Sequence, residues 1–293
     1  MFRKSRKAAI VGLRGYSRAS AARVSSYDHL LTGAATNLRT VRCAFWDDIA
    51  TEPSEGEIKD IVRQVFNEAN DDPAFVDLFV LGSSKSRRIS YSRFETESIS
   101  SGVSVSVHAK TPNELEQTWN PPTFVKFRRG GRVNSIGLYT DTVCDPDALS
   151  DSSMFANLRH FNAAAAYRFD FPLMFSPSAY MADISFSPSR REAGKLCWRD
   201  KERVANYGNH CWRGERASDG FLRDIYDMII FRDATAHRTV ESLPLVDWIA
   251  QRPERGVVTA CDDEFVWRPG TDKRYLQDKL DAARILLAGF VPD

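Results

Sequence analysis

Hydrophobic and polar positions change period several times along the chain, and each change marks an element. VRCAFW at 41–46 is a short apolar run of the kind that forms a buried strand. Ser54 and Glu57 then make a capping-box pair, in which the serine hydroxyl accepts the Glu57 amide and the glutamate reaches back. Ile58, Ile61, Val62, Val65, Phe66 and Ala69 follow at helical spacing, one stripe of an amphipathic helix. Asn70, Asp71, Asp72 and Pro73 end it.

Phe75 to Leu81 is compatible with a short strand or helix, and 82–88 with a polar turn. Val103, Val105 and Val107 alternate with Ser104, Ser106 and His108, the period of a half-buried strand, with His108 facing solvent or a neighbouring strand. Thr123 to Arg128 and Val133 to Thr140, separated by Arg129, Gly130 and Gly131, predict a hairpin. Phe155, Leu158, Phe161, Asn162 and Ala165 predict a second helix from Ser152 or Ser153 to about Tyr167. The proline-interrupted stretch 169–188 predicts an irregular connection, and 189–219 a loop-rich segment. Phe221 to Phe231 predicts a strand, Leu243 to Gln251 a short helix, and Gly256 to Cys261 and Glu264 to Trp267 two strands. A last helix is expected over Thr271 to Ala288, with Thr271 as N-cap, Leu276, Leu280, Ala283 and Leu287 inward, and Gly289 as its stop. Helices interspersed unevenly with hairpins predict an α+β domain: a mainly antiparallel sheet packed with about three to four helices.

Charge divides the chain. Residues 1–40 hold eight Lys or Arg against one acid, Asp28, so the total of +1 less this +7 leaves −6 for residues 41–293. The segment 1–40 is read as a basic, poorly ordered arm, and 41–293 as one domain. Val41 opens the first strand, and valine codons can serve as bacterial starts, so a chain beginning there would be self-contained. The arm's Arg, Ser and Ala content also suits a transit peptide or a phosphate-neutralising tail. In the stretch 1–26 no aromatic residue but Tyr16 interleaves the charges as a stacking platform would, which argues against reading of nucleic-acid sequence. No run approaches the roughly 18 apolar residues of a membrane helix. Five cysteines, Cys43, Cys144, Cys197, Cys211 and Cys261, with no CxxC pair predict free thiols in a reducing, cytoplasmic setting.

Chemistry-bearing motifs are scarce. P-loop, GxGxxG, HExxH and GxSxG patterns are all missing. Cys144 with His160 would make a thiolate pair if the fold joined them, and a buried thiol beside a helix-flanking histidine explains both without catalysis. Cys197, His210 and Cys211 lack a fourth metal ligand. The acid pairs Asp47–Asp48, Asp71–Asp72 and Asp262–Asp263 sit where elements end, where aspartate is favoured for turn hydrogen bonds. Trp46, Trp248 and Trp267 are expected in the core, and Trp198 and Trp212 at an interface. The residues therefore name no catalytic, cofactor-binding or metal-binding position, and no cofactor.

The opening run CAFWDDIATEPSEGEIKDIVRQVFNEANDDPAF resembles the start of bacterial polymorphic-toxin immunity proteins, especially the immunity protein 52 family, at Phe45, Trp46, Asp72, Pro73 and Phe75. The closing run RGVVTACDDEFVWRPGTDKRYLQDKLDAARILLAGF resembles that family's end at Arg255, Gly256, Ala288 and Gly289. Asp47 stands where the family pattern has glycine. The resemblance implies a bacterial, non-enzymatic protein that binds a cognate protein toxin and neutralises it, with no catalytic residues to carry over. The acidic body fits a basic toxin surface, and the same −6 serves equally as a solubility charge. The competing expectation is an enzyme, a hydrolase or transferase, whose site lacks recognisable motifs.

Overall fold

The computed structural model describes residues 40–80, 86–110, 122–129, 134–141, 149–172, 203, 206–207 and 214–289, so the basic arm falls outside them except for Thr40. The first strand, β1 (Thr40–Ile49), dictates the layout of the sheet. Val41, Cys43 and Phe45 point to one face of the sheet, Ala44 and Trp46 to the other, and all five are at most 1% exposed. A strand with apolar residues on both sides belongs in the middle of a sheet covered twice. β1 pairs antiparallel with β6 (Ser135–Asp141) on one side and β7 (Ala163–Pro172) on the other.

Outward from that pair run β5 (Phe124–Arg128), β4 (Val103–Ala109), β2 (Pro73–Val80) and the edge strand β3 (Ser86–Ser90). Beyond β7 come β8 (Met228–Arg232), β12 (Glu264–Pro269) and the other edge, β11 (Gly256–Cys261). Every pairing in this ten-stranded sheet is antiparallel. A separate two-stranded ribbon joins β9 (Thr239–Val240) to β10 (Leu243–Pro244). With its helices the sheet forms one α+β domain.

The second face, that of Trp46, is covered by three helices. In α1 (Glu55–Glu68) the capping box is present: Ser54 Oγ accepts the Glu57 amide at 3.3 Å, and Glu57 accepts the Ser54 amide at 2.7 Å. Its stripe of Ile58, Val62 and Phe66 is buried. Lys59 donates to the carbonyls of Glu95 and Glu97, tying α1 to the end of α2 (Tyr91–Thr96). The helix α3 (Asp151–His160) inserts Met154 and Leu158.

The first face, that of Phe45, is covered by α4 (Asp233–Ala236), α5 (Leu245–Ala250), α6 (Lys273–Ala282) and the irregular segment 217–226. Trp248 and Trp267 are fully buried here and Trp46 on the opposite face, as their placement in predicted elements implied. Truncating such an aromatic typically costs about 3–5 kcal/mol. Three of the six described helices exceed six residues.

Three expected boundaries move. The second helix stops at His160 instead of running to Tyr167, because Asn162 takes a left-handed φ of 47° and Ala163–Pro172 joins the sheet centre. Alanines there favour helix locally, but Tyr167, Phe169 and Phe171 bury against the first-face core. The strand expected from Phe221 begins only at Met228; Leu222 instead forms an isolated parallel bridge with Leu286. The last helix is capped by Asp272, not Thr271, and ends at Ala282, with Arg284 in the left-handed position at φ 54°. Residues 285–288 then run beside 222–223, with the Leu287 and Ala288 amides donating to the carbonyls of Leu222 and Arg223. Gly289 is no helix stop: a Cβ there would collide with the Asp281 carboxylate.

Two glycines give opposite expectations for one chemical change. Gly256 has φ 98° and lies where a Cβ would strike the Arg268 carbonyl, whereas Gly56 in α1 has open space around it. Gly256→Ala should lose at least about 2 kcal/mol in urea unfolding, and Gly56→Ala should gain up to about 1 kcal/mol. Equal effects of the two would contradict this backbone.

Candidate functional site

The second face is not covered evenly. α1 lies over β5 and α3 over β7, so the strip of β1 and β6 between them forms the floor of a cleft of about 250 Å³. Trp46, Ile136, Leu138 and Thr140 form that floor, and the Trp46 indole N–H is held by the Met154 carbonyl at 3.2 Å. From α1 the walls receive Ile61 and Val65, the two stripe residues left only half-buried; from α3 they receive Ala156 and Asn157. The rim carries Gln64, Glu68 and His160. Thr140 is 5% exposed, and its hydroxyl has no hydrogen-bond partner among the described residues. Such a buried hydroxyl costs roughly 1–3 kcal/mol until something meets it.

The chain from the end of β1 through α1 is acidic. Between Asp47 and Asp72 there are nine Asp or Glu and two Lys or Arg. Glu57, Asp60 and Glu68 all lie on the solvent side of α1. The Ser54 hydrogen bonds lower the pKa of Glu57 first, and the nearby His160 adds to the shift.

On the opposite face the outer half of the sheet is polar. Cross-strand register places Arg88, Asp77, Ser106 and Lys126 in one row over β3, β2, β4 and β5. The adjacent row holds Phe75, His108, Phe124 and Tyr139, whose rings meet in sequence at 4.5, 4.9 and 5.4 Å. Arg88 grips Asp77 through two bonds of 2.8 Å and lies 3.9 Å from the Phe75 ring. His108 Nε2 stands 3.3 Å from Asp77 Oδ2, close but off the hydrogen-bond direction. Burial by itself would raise the Asp77 pKa; the bonds from Arg88 and the approach of His108 outweigh it and hold the value at about 2. Burial lowers the His108 pKa, with Asp77 pulling the other way.

Further along that face Asp47 and Arg223 form a buried ion pair of 3.1 Å, each about 4% exposed at its side chain. The Arg223 guanidinium is sandwiched between the rings of Phe45 and Tyr207 at 3.7 and 3.9 Å, and Tyr207 donates to Asp47 Oδ2 at 3.2 Å. Removing one member of such a pair leaves a stranded charge and typically costs about 3–5 kcal/mol.

Asp47 apart, members of the acid pairs read from sequence take turn positions and accept backbone amides. Asp48 and Asp262 hold left-handed φ angles of 55° and 54°, Asp48 accepts the Ser218 amide, and Asp71 accepts the Asp72 amide. His160 is exposed and packs edge-on against Phe161, while Cys144 lies outside the described residues, as do Cys197, His210, Cys211, Trp198 and Trp212. Cys43 is buried and Cys261 exposed, both free thiols. Among the described residues no group of three or more His, Cys, Asp or Glu could hold a metal ion, and no helix is long and apolar enough to cross a membrane.

The residues that carry the immunity-protein resemblance have architectural tasks. Trp46 floors the cleft and Phe75 stacks on His108. Arg255 is 3% exposed, lies 4.0 Å over the Trp248 ring and donates to the Trp248 carbonyl, while its own carbonyl accepts the Trp267 indole N–H. Gly256 and Gly289 permit close approaches that a side chain would block.

No family model and no curated protein matches the chain. Among solved structures, a Pseudomonas aeruginosa T6SS protein is similar with a TM-score of 0.45 and 10% identity, over 86% of this chain and 72% of its own. Function does not follow from shape at that distance.

The Asp77 and His108 shifts set a pH dependence. Asp77 is depressed when folded, so its contribution is complete above about pH 4 and is lost as pH falls through about 2. The stability gap between the wild type and Asp77→Asn should therefore narrow by about 2 kcal/mol over that window in urea titrations. The folded-state pKa of His108 lies below 6.5, so from that pH downward the unfolded chain takes the proton first and stability falls. His108→Gln should remove that part of the decline; an unchanged profile would contradict the burial of the ring.

Proposed function

We propose that this chain is a non-enzymatic binding protein that neutralises a cognate protein toxin. The observation that carries the reading is the acidic solvent side of α1, with Glu57, Asp60 and Glu68, beside a cleft whose floor is largely apolar. Charge of one sign around a hydrophobic depression raises the encounter rate with an oppositely charged partner and discriminates against wrong ones, by factors of roughly 10 to 1,000 in rate. Toxins that act on nucleic acid present basic clefts, and an acidic cover blocks such a cleft by occupying it. The resemblance of both ends of the chain to immunity proteins supports the same reading. A binding protein needs no catalytic group, and the buried charges of Asp47, Asp77 and Arg223 are engaged in holding the fold.

Co-expression tests the proposal. Cells producing the toxin encoded immediately upstream should grow when this chain is present and stop without it; equal killing in both arms would end the idea. Charge should act mainly on association. Asp60→Lys combined with Glu68→Lys is expected to slow toxin association about tenfold or more at low salt, with the difference fading near 1 M salt where screening shortens to about 3 Å.

A further inference from the structure

We infer that the cleft between α1 and α3 is the anchor pocket for a single aromatic side chain, tryptophan or tyrosine, carried on a basic segment of the toxin. This rests on the neutralisation reading and specifies the contact that performs it. Size comes first. A volume of about 250 Å³ is equivalent to about eight waters of liquid, too large to be a packing flaw, yet below the roughly 300–1,000 Å³ typical of small-molecule sites. One large side chain fits that interval, and interface energy is concentrated in such buried aromatic anchors.

Chemistry narrows the occupant further. The floor and walls are apolar at Trp46, Ile136, Leu138, Ile61 and Val65, so an aliphatic or aromatic body is favoured over a charged one. Polar groups also line the cleft, Ser153 and Asn157 from α3 and Gln64 from α1, and they suit a ring with an N–H or O–H better than phenylalanine or leucine. Glu68 on the rim, with Glu57 and Asp60 along the same helix, calls for lysine or arginine flanking the anchor.

The position of the two helices explains why the pocket persists. α1 is tied through Lys59 to the end of α2, and α3 through Arg159 to Glu264 and Asp262, both at 2.8 Å, so the two helices stand apart over β1 and β6.

The test uses the purified full chain and its toxin in a binding titration. Ala156 is exposed on the wall, so Ala156→Trp plugs the mouth without disturbing the core; affinity should fall at least 100-fold while the melting temperature stays within a few degrees. Gln64→Trp plugs it from the other helix and should act alike, which keeps the test valid if one variant misfolds. Asn157→Leu removes a polar group of the wall and keeps its size; a loss of about tenfold is expected. If both plugged variants fold and bind as tightly as wild type, the anchor pocket is overturned and neutralisation stands. Should wild type itself not bind the toxin, both readings fail together.

Discussion

A strand that is apolar on both sides cannot sit at an edge, and β1 imposes that constraint on the whole molecule. Val41, Cys43 and Phe45 on one face and Ala44 and Trp46 on the other must all be kept from water at once. The sheet therefore extends in both directions from β1 and carries a layer of helices on each face above its centre. Away from β1 the requirement relaxes, and the outer strands on the Phe45 face turn polar, with Arg88, Asp77 and Lys126 in cross-strand register.

Where charge enters the interior, it enters in company. Arg223 has Asp47 at its edge and two aromatic rings on its faces; Arg203 bridges Asp224 at 2.7 Å and Asp281 at 2.8 Å; Arg255 lies on Trp248. Desolvation offsets most of the attraction in such pairs, so their net contribution to stability is small. Their effect is to specify which segments meet. Arg203 links α6 to the 222–226 segment, and Asp281 in turn closes over Gly289.

Features whose cause is local were legible in the sequence. The start of α1 follows from Ser54 and Glu57, its buried stripe from periodicity, and the turn roles of Asp48 and Asp262 from aspartate's tolerance of left-handed backbone. The sequence misled at residues 163–167, where the helical spacing of Phe155, Leu158, Phe161, Asn162 and Ala165 carried the expected helix on and the sheet centre prevailed. Asp47 belongs with features that have no local signature, since its partner Arg223 is 176 positions away. The approach of His108 to Asp77 depends on register between β2 and β4; the alternation 103–108 showed which side of its strand His108 occupies, but not what lies opposite. The cleft was invisible for the same reason. Half-burial of Ile61 and Val65 results from the separation of two helices, a quantity that no single segment encodes.

The central strand also has a history during synthesis. β1 is made before any of its neighbours, and the first residue it pairs with through β6 is Ser135, followed by Ala163–Pro172 on its other side. At roughly 5–20 residues per second the ribosome needs on the order of ten seconds to supply them. For much of that interval the strand that will lie at the centre of the sheet has neither edge satisfied. Asp47 and Asp48 come directly after Phe45 and Trp46, and charge beside an apolar strand discourages pairing with other nascent chains. The carboxylate that later neutralises Arg223 in the core thus begins as a guard on an unpartnered strand.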